Sequence, residues 1–382
     1  MEHLINPLVK DVQISGIRKF YNMVADIEGT ISLTIGQPDF PTPMHIKEAA
    51  KQAIDNDYTV YTHNAGYLEL REAASNYVKD KYKLNYDPAN EVIVTSGASE
   101  GIDIAFRTIL IPGNEVILPG PVYPGYEPII KMCGATPVYA DTTKNGFRLT
   151  ADILEKYMTE HTRCIVLPYP SNPTGVTLTA EELLDIAELV RGKDIFILAD
   201  EIYSELVFDQ EHVSIATFLK EQTIVLNGLS KSHSMTGWRI GLLFAPAAIS
   251  QHLLKVHQYN VTCAASISQR AALAALTAGR NDALPMKTEY ARRREYVYSR
   301  LQAMKLEIVK PNGAFYFFIK LPEGYASSLD FCLKLVQQEK VAVVPGDAFS
   351  PLGEGYFRIS YAYSMETLEK ALDRIEAFLA KK

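Results

Sequence analysis

The fold is decided by a pattern that is clearest in the stretch Thr223-Ile-Val-Leu-Asn-Gly-Leu-Ser-Lys231-Ser-His-Ser-Met-Thr-Gly-Trp-Arg239-Ile-Gly241. A short apolar run, typical of a buried strand, leads there into a loop of small and hydroxyl-bearing residues. Similar runs occur upstream over 91–95, 115–118, 164–167 and 195–199, with helix-like segments such as 100–110 and 180–191 between them. This alternation is typical of βαβ units around a mostly parallel sheet that helices cover on both faces. We therefore predict an α/β fold.

A smaller second unit is predicted after about residue 285, where the regular alternation of strand-like and helix-like segments ends. A long charged helix is expected over 286–304, strands over 313–319, 341–344 and 356–360, and a closing helix over 365–379. At 382 residues the chain is also longer than one hydrophobic core usually serves. We predict an N-terminal arm with part of the small domain over 1–45, a large domain over 46–285, and a C-terminal small α+β domain over 286–382.

Composition and charge exclude several classes of protein. With 47% hydrophobic and 22% charged residues, the chain can bury a large core and is expected to be soluble and globular. A net charge of −7 argues against a nucleic-acid-binding surface. No signal peptide and no segment apolar enough to span a membrane is recognised, so a cytoplasmic protein without membrane partners is expected.

Cysteine and histidine spacing predicts no metal site. The 4 cysteines lie far apart without any C-x-x-C pair, which indicates reduced thiols. His252 and His257 are separated by a spacing that does not place them on one face of a helix, and we interpret both as solvent-facing. Neither a disulfide framework nor a bound metal is expected.

Polar and charged side chains that could bind a ligand or take part in catalysis lie at the carboxyl ends of four predicted strands. Open α/β sheets form their binding sites at these ends. These ends carry, in chain order, the turn Gly97-Ala98-Ser99, then Asn172 between two prolines, then Asp200 with Tyr203, and finally Lys231 with Arg239. Taken singly, each has a simpler interpretation as a helix cap, a rigid turn or a solvated side chain. Together they supply an anion cradle, an amide, a carboxylate, a phenol, a primary amine and a guanidinium. Pyridoxal 5'-phosphate needs that whole set, so this cofactor is predicted.

Two motifs make the sequence resemble a known family along practically the whole chain. They are Gly228-Leu-Ser-Lys231 with Gly237-Trp-Arg239 and, earlier, Ser171-Asn-Pro-Thr-Gly175. The chain is thereby similar to the class I and II pyridoxal-phosphate-dependent aminotransferases of fold type I. The resemblance implies a large domain around a mostly parallel sheet, a smaller α+β domain, and transfer of an amino group between an amino acid and a 2-oxo acid.

The resemblance also assigns roles around the cofactor ring. Lys231 is expected to form the Schiff base and to act as general base, and Asp200 to face the pyridinium nitrogen. Tyr203 and Asn172 are expected to donate to the ring oxygen, and Tyr123 to stack on the ring.

The phosphate group is expected at the start of a helix. By the same resemblance, its binding site comprises Gly97, Ala98, Ser99, Ser230 and Arg239. Two positions depart from the family pattern: position 228 is glycine where many members carry a hydroxyl, and position 100 is glutamate where many carry glutamine. The first departure leaves the number of phosphate contacts open.

Substrate and partner roles follow from the same resemblance. Arg358 is similar to the arginine that binds the substrate α-carboxylate, a group that its forked donors suit. Asn172 and the backbone of Gly36 are expected to lie close to that carboxylate. Tyr61 resembles a tyrosine that reaches the phosphate of the neighbouring subunit, so a homodimer is expected.

The finer function is taken from similarity within the family. The blocks 14–20, 61–71, 227–241 and 256–260 resemble the N-acetyl-LL-diaminopimelate aminotransferases of lysine biosynthesis, with 2-oxoglutarate and glutamate as the second pair. Three alternatives stay open. The protein could be a general or aromatic amino acid aminotransferase, a β-lyase of cysteine S-conjugates, or a cofactor-sensing regulator, for which no appended DNA-binding segment is recognised.

Overall fold

The computed structural model describes residues 1–381, which form a large and a small unit, each around its own sheet. The helices are α1 Pro7–Lys10, α2 Gly16–Val24, α3 Met44–Asp55, α4 Leu68–Tyr82, α5 Ala98–Ile109, α6 Tyr126–Met132, α7 Ala151–Tyr157, α8 Ala180–Val190, α9 Ala216–Leu219, α10 Ala247–Val261, α11 Ser266–Leu276, α12 Ala283–Ala303, α13 Ser328–Glu339 and α14 Met365–Ala380. The strands are β1 Ile31–Ser32, β2 Val92–Thr95, β3 Glu115–Gly120, β4 Thr136–Asp141, β5 Thr162–Leu167, β6 Phe196–Asp200, β7 Thr223–Gly228, β8 Gly241–Phe244, β9 Tyr316–Lys320, β10 Val341–Ala342, β11 Val344–Pro345 and β12 Tyr356–Ser360.

The large sheet confirms the predicted architecture. Its 7 strands lie in the order β2-β8-β7-β6-β5-β3-β4. β7, β6, β5, β3 and β4 run parallel to one another, and β8 is antiparallel to both of its neighbours. The predicted strands of the large unit are all present, with ends that differ from the predicted ones by at most two residues.

The strands read as continuous apolar runs because both faces of the large sheet are covered. Successive side chains of a strand point to opposite faces. In β3, Ile117 therefore packs in one hydrophobic cluster with residues of α4 and α8, whereas Val116 and Leu118 pack in another with residues of α5. A sheet buried in this way leaves its strand ends and the following loops as the places where polar side chains can gather.

The small unit is built around a three-stranded antiparallel sheet in the order β11-β12-β9. β1 pairs in parallel with β10, which ties the beginning of the chain to this unit. Phe20, Val24 and Leu33 accordingly lie in the same hydrophobic cluster as residues of α12, α13 and α14. The domain boundaries at residues 45 and 285 stay a prediction.

Some local predictions were wrong. The strand predicted over 341–344 is two short strands, since β10 pairs with β1 and β11 pairs with β12. Residues 341–344 are all buried, and apolarity alone does not reveal that the chain crosses from one sheet to another there. The interpretation of His257 as solvent-facing was also wrong, because this side chain is 0% exposed.

The described part of the chain contains neither a membrane-spanning helix nor a metal-binding cluster. None of the helices in residues 1–381 is long and apolar enough to cross a membrane. The same residues contain no cluster of three or more His, Cys, Asp or Glu side chains placed to hold a metal ion.

Candidate active site

A cavity of about 660 Å³ opens between the carboxyl ends of the large sheet and the small unit. Loops after β2, β3, β5, β6 and β7 line it from the large unit, and β12 and the loop after β1 line it from the other side. The predicted site residues that the structure brings together here are Gly36, Ala98, Ser99, Tyr123, Asn172, Asp200, Tyr203, Ser230, Lys231, Arg239 and Arg358. Residues spread from position 36 to position 358 thus converge on one cavity.

Lys231 stands in this cavity with its amine partly shielded from solvent. Its Nζ donates to the carbonyl oxygen of Gly36 at 2.6 Å. Burial, and then the charges of Arg358 and Arg239, lower the pKa of Lys231 from 10.5 to about 8. The cause is that a low-dielectric, cationic environment disfavours the ammonium form. Near neutral pH a useful fraction of Lys231 is therefore the free amine, which can act as a nucleophile or as a base.

Asp200, at the end of β6, is a buried carboxylate that is 8% exposed. The hydroxyl of Tyr126 donates to its Oδ2 at 2.7 Å, and the Ile202 N–H donates to its Oδ1 at 3.3 Å. Among residues 1–381 it forms no salt bridge, and burial raises its pKa. A buried carboxylate without a cation is costly. The side chain therefore fits a cationic partner that the ligand brings, as the pyridinium nitrogen of pyridoxal phosphate would.

The start of α5 forms an anion cradle. Gly97 caps the helix with φ +79°, and a Cβ at this position would collide with the guanidinium of Arg239. The absence of a side chain lets Arg239 lie against the first turn, where helix N–H groups have no intrahelical acceptor. Ala98, Ser99 and Ser230 line the cavity at the same place. The donor set fits a phosphate group.

The glycine at position 228 has a steric explanation. A Cβ on Gly228 would lie 3.0 Å from Ile202 Cδ1 and 3.1 Å from the carbonyl oxygen of Ile240. Both distances are shorter than ordinary contacts, so a hydroxyl-bearing residue would require its neighbours to shift. Close packing against Ile202 and Ile240 thus favours glycine at this position of the chain.

Arg358, on β12, is 2% exposed and lines the same cavity from the small unit. It donates from Nη1 to Asn172 Oδ1 at 2.8 Å and from Nη2 to the carbonyl oxygen of Thr34. Its Nε is buried and has no hydrogen-bond partner among residues 1–381. The ring of Tyr316 lies 4.5 Å from the guanidinium carbon. An orphaned donor on a buried guanidinium fits a substrate carboxylate.

Two predicted residues lie outside the lining of the cavity. Gly97 is the N-cap residue of α5. It leaves room for Arg239 at the cradle but is not among the residues that line the cavity. Tyr61 is 84% exposed on a surface loop and does not reach the cavity of its own chain. Its expected contact with a neighbouring subunit stays a prediction.

Tyr126 and Tyr316 were missed by sequence reasoning. Tyr126 is fully buried and bonded to Asp200, and the hydroxyl of Tyr316 lies 2.7 Å from that of Tyr203. Tyr126 follows Tyr123 by three positions in a proline- and glycine-rich segment, a weak signal that could have found it. Tyr316 begins an apolar strand and offers no local signal.

Comparison with known proteins identifies the family of this chain. The family described as aminotransferase class I and II matches residues 28–375. A probable N-acetyl-LL-diaminopimelate aminotransferase of Bacillus subtilis is 61% identical over 100% of this chain and 97% of its own length. Aromatic-amino-acid aminotransferase 2 of Thermococcus litoralis is 43% identical over 97% of both chains.

A solved structure supports the same conclusion. The crystal structure of an aspartate aminotransferase from Rhizobium meliloti superposes with a TM-score of 0.94, at 34% identity over 98% of both chains. A likeness that extends over the whole fold, in relatives that are 34% to 61% identical, is a family relationship and not a shared architecture alone. The chain therefore belongs to the class I and II aminotransferases, which are pyridoxal-phosphate-dependent enzymes.

Proposed function

We propose that this aminotransferase moves an amino group between N-acetyl-LL-diaminopimelate and 2-oxoglutarate, a step of lysine biosynthesis. The proposal is supported by 61% identity to the Bacillus subtilis relative that bears this probable name. It is also supported by the chemistry of the cavity, because both substrates carry two carboxylates and the cavity offers a cation for each.

The observation that carries the transamination itself is that Lys231 shares one cavity with Asp200 and Arg358. Pyridoxal phosphate, when bound, supplies an aldehyde that condenses with amines and a ring that accepts electrons. Lys231 would hold the cofactor in the resting enzyme and, once a donor replaces it, would move the proton of the donor's Cα. Asp200 would hold the proton on the ring nitrogen. Tyr203, whose hydroxyl is held by Tyr316, would donate to the ring oxygen.

Arg358 would orient the donor. Two of its nitrogens are engaged by Asn172 and Thr34, which fixes the plane of the guanidinium while Nε remains for the α-carboxylate. Anchoring the phosphate at α5 and the carboxylate at Arg358 fixes both ends of the reacting group. This positioning holds the Cα–H bond close to Lys231, so orientation determines which bond breaks.

Selection of a donor with a second carboxylate is proposed to depend on Arg18, on α2. The cationic side chains that line the cavity are Lys231, Arg239, Arg358 and Arg18, and the first three already have roles. Arg18 is exposed, and among residues 1–381 it forms no ion pair. Its guanidinium is thus available to the distal carboxylate of N-acetyl-LL-diaminopimelate or of 2-oxoglutarate.

The variant Arg18→Gln tests this assignment. A hydrogen bond to a charged group contributes about 1.5–3 kcal/mol, so we expect KM for both dicarboxylic substrates to rise roughly ten- to a hundredfold. The KM for phenylalanine should change little. Lys19→Gln is the matched control, because Lys19 faces a neighbouring cavity and bonds Gln13 at 3.4 Å. Equal effects of the two variants would contradict the role of Arg18.

The proposal also includes that the protein is a cytoplasmic homodimer. Val60, Tyr61 and Tyr259 are 70%, 84% and 87% exposed. Asn64 Nδ2 donates to the carbonyl oxygen of Thr262 at 2.8 Å, which holds the two segments that carry them side by side. Exposed apolar and aromatic side chains in one area are typical of protein interfaces. Light scattering of the purified protein should give twice the chain mass of 42.6 kDa.

An absorbance titration of the cofactor-loaded enzyme tests the substrate. The donors are N-acetyl-LL-diaminopimelate, glutamate and phenylalanine, and the readout is conversion of the cofactor to its amino form. Conversion at a much lower concentration of N-acetyl-LL-diaminopimelate than of phenylalanine supports the proposal. Release of pyruvate from cystathionine would instead indicate a β-lyase.

The second candidate is an aromatic aminotransferase. Tyrosines contribute much of the cavity wall, namely Tyr21, Tyr123, Tyr126, Tyr203 and Tyr316, and such a wall can pack against an aromatic ring. The Thermococcus litoralis relative bears that activity in its name at 43% identity. Preference for phenylalanine in the titration would select this candidate.

A further inference from the structure

We propose that His257 carries a proton on both ring nitrogens and, as an imidazolium, neutralises Glu100 at the start of the helix that holds the cofactor phosphate. The inference rests on the proposed phosphate role of α5 and makes no use of the identity of the donor. His257 lies on α10, outside the lining of the active-site cavity. It would be a positioning residue that acts through Glu100.

The geometry places His257 between two acceptors. Its Nδ1 lies 2.8 Å from Glu100 Oε1, and its Nε2 lies 2.9 Å from the carbonyl oxygen of Asn64. The histidine side chain is 0% exposed and the Glu100 side chain is 9% exposed, so water does not supply alternative partners at the ring.

The hydrogen-bond partners of the ring restrict which nitrogens carry protons. A carbonyl oxygen only accepts, so Nε2 must donate to Asn64. An ionised carboxylate also only accepts, so Nδ1 must donate to Glu100. A neutral imidazole has one proton and would leave a lone pair facing the carboxylate. With Glu100 ionised, both contacts are satisfied only by the imidazolium, and the two side chains form a buried ion pair. A protonated Glu100 that donates to Nδ1 of a neutral imidazole is the competing arrangement, and the NMR measurement below separates the two.

His233 provides an internal comparison, because it is equally buried but has different partners. Its Nε2 lies 3.0 Å from the carbonyl oxygen of Gly279, and its Nδ1 lies 2.8 Å from the hydroxyl of Ser232. A hydroxyl can donate, so a neutral imidazole satisfies both contacts there. Burial lowers the pKa of His233, which agrees with the neutral form. The two histidines thus differ in charge because their partners differ.

The charge of Glu100 matters because of where this residue lies. It is the third residue of α5, directly after Ala98 and Ser99, and its Oε2 accepts from the backbone N–H of Ser96. A carboxylate there stabilises the helix start but repels a phosphate at the same N–H groups. A glutamine at position 100 would bring no such charge. The imidazolium of His257 removes the repulsion while keeping the hydrogen bond to Ser96.

A second carboxylate on α5 is already compensated. Asp103, one turn further along α5, binds Arg107 at 2.8 Å and accepts from Asn260 Nδ2 at 2.9 Å. On its other side, the His257 ring contacts the backbone of Asn64, an uncharged residue. The side chain of Asn64 donates to the carbonyl oxygen of Thr262. Beside the cation Arg239, the charge balance at the phosphate end therefore depends on the pair His257–Glu100.

A double-mutant cycle tests the proposal on the full-length protein. Affinity for pyridoxal phosphate is measured by fluorescence after the cofactor has been removed, for the wild type, His257→Gln, Glu100→Gln and the double variant. We expect His257→Gln to bind the cofactor about tenfold more weakly, equivalent to about 1.4 kcal/mol. Glu100→Gln should bind within about twofold of the wild type, and so should the double variant. Inorganic phosphate, used as a competitor, should follow the same order.

A packing role of His257 would give a different result. In that case the double variant would bind as weakly as His257→Gln, and the proposal would be overturned. Long-range proton–nitrogen NMR of the wild type with labelled histidine gives a second measurement that needs no variant. It should show one buried histidine with both nitrogens protonated, and a neutral signal for His257 would also refute the ion pair. Neither result depends on donor preference, so failure here is distinct from failure of the substrate assignment.

Discussion

Removal of the Tyr126 hydroxyl should weaken catalysis through Asp200. Tyr126 is 1% exposed, and its hydroxyl donates to Asp200 Oδ2 at 2.7 Å. Among residues 1–381 the one other donor to this carboxylate is the N–H of Ile202, at a longer 3.3 Å. The Tyr126 contact lowers the pKa of Asp200 and so opposes the effect of burial, which raises it. In Tyr126→Phe that opposition is lost and the carboxylate form is destabilised.

The magnitude follows from the chemistry of this contact. A hydrogen bond to a charged group contributes about 1.5–3 kcal/mol, and each 1.36 kcal/mol corresponds to tenfold in rate. We therefore expect kcat to fall roughly ten- to a hundredfold, with little change in KM, because Tyr126 does not bind the donor's carboxylate. Activity that needs ionised Asp200 is lost as the pH falls through its pKa. Since the variant raises that pKa, the acid limb of the pH–rate profile should move to higher pH.

The assay is kcat as a function of pH, together with the absorbance of the bound cofactor over the same range. Tyr86→Phe is the control, because the buried hydroxyl of Tyr86 has no hydrogen-bond partner among residues 1–381 and lies outside the cavity. This control should keep the wild-type profile. An unchanged acid limb in Tyr126→Phe, or the same displacement in both variants, would refute the coupling to Asp200.

Further predictions concern the two ends of the cavity. Lys231→Ala should abolish turnover while the protein still retains cofactor through the phosphate cradle, which dialysis followed by absorbance can check; substantial transamination would contradict the base assignment. Arg358→Lys should raise the KM for all donors about ten- to a hundredfold, because an ammonium does not reproduce the forked guanidinium donors that Asn172 and Thr34 hold in place. KM values equal to those of the wild type would argue against the carboxylate role of Arg358. The pKa of Lys231 is lowered from 10.5 to about 8, so the rate of cofactor capture by the cofactor-free protein should rise with pH and reach half its maximum near 8; a midpoint near 10.5 would be inconsistent with this environment.

Much of the fold was predictable because its signals are local. A strand buried on both faces needs an unbroken apolar run. The sequences of β6 and β7 contain such runs, which indicate buried strands. The polar residues that follow such runs, Asp200 and Lys231, must emerge at the same edge of a parallel sheet. The cofactor could therefore be predicted from the sequence, as could the convergence of these residues on one cavity; their individual roles toward the cofactor stay predictions.

Other features depend on which distant residues meet, and local periodicity does not contain that information. The bond between Tyr126 and Asp200 joins residues 74 positions apart, and that between Arg358 and Asn172 joins residues 186 apart. The five-residue spacing between His252 and His257 suggested exposure, yet His257 is buried because the loop at Asn64 and the start of α5 close over it.

The sequence by itself thus determined the α/β architecture, the cofactor and the residues that motifs carry. Only the tertiary structure decided which side chains support them, such as Tyr126 behind Asp200, and which charges are cancelled, such as Glu100 by His257. The physical reason is that hydrophobic periodicity specifies which face of an element is buried. The protonation and strength of a polar group are set by the groups that the folded chain places against it.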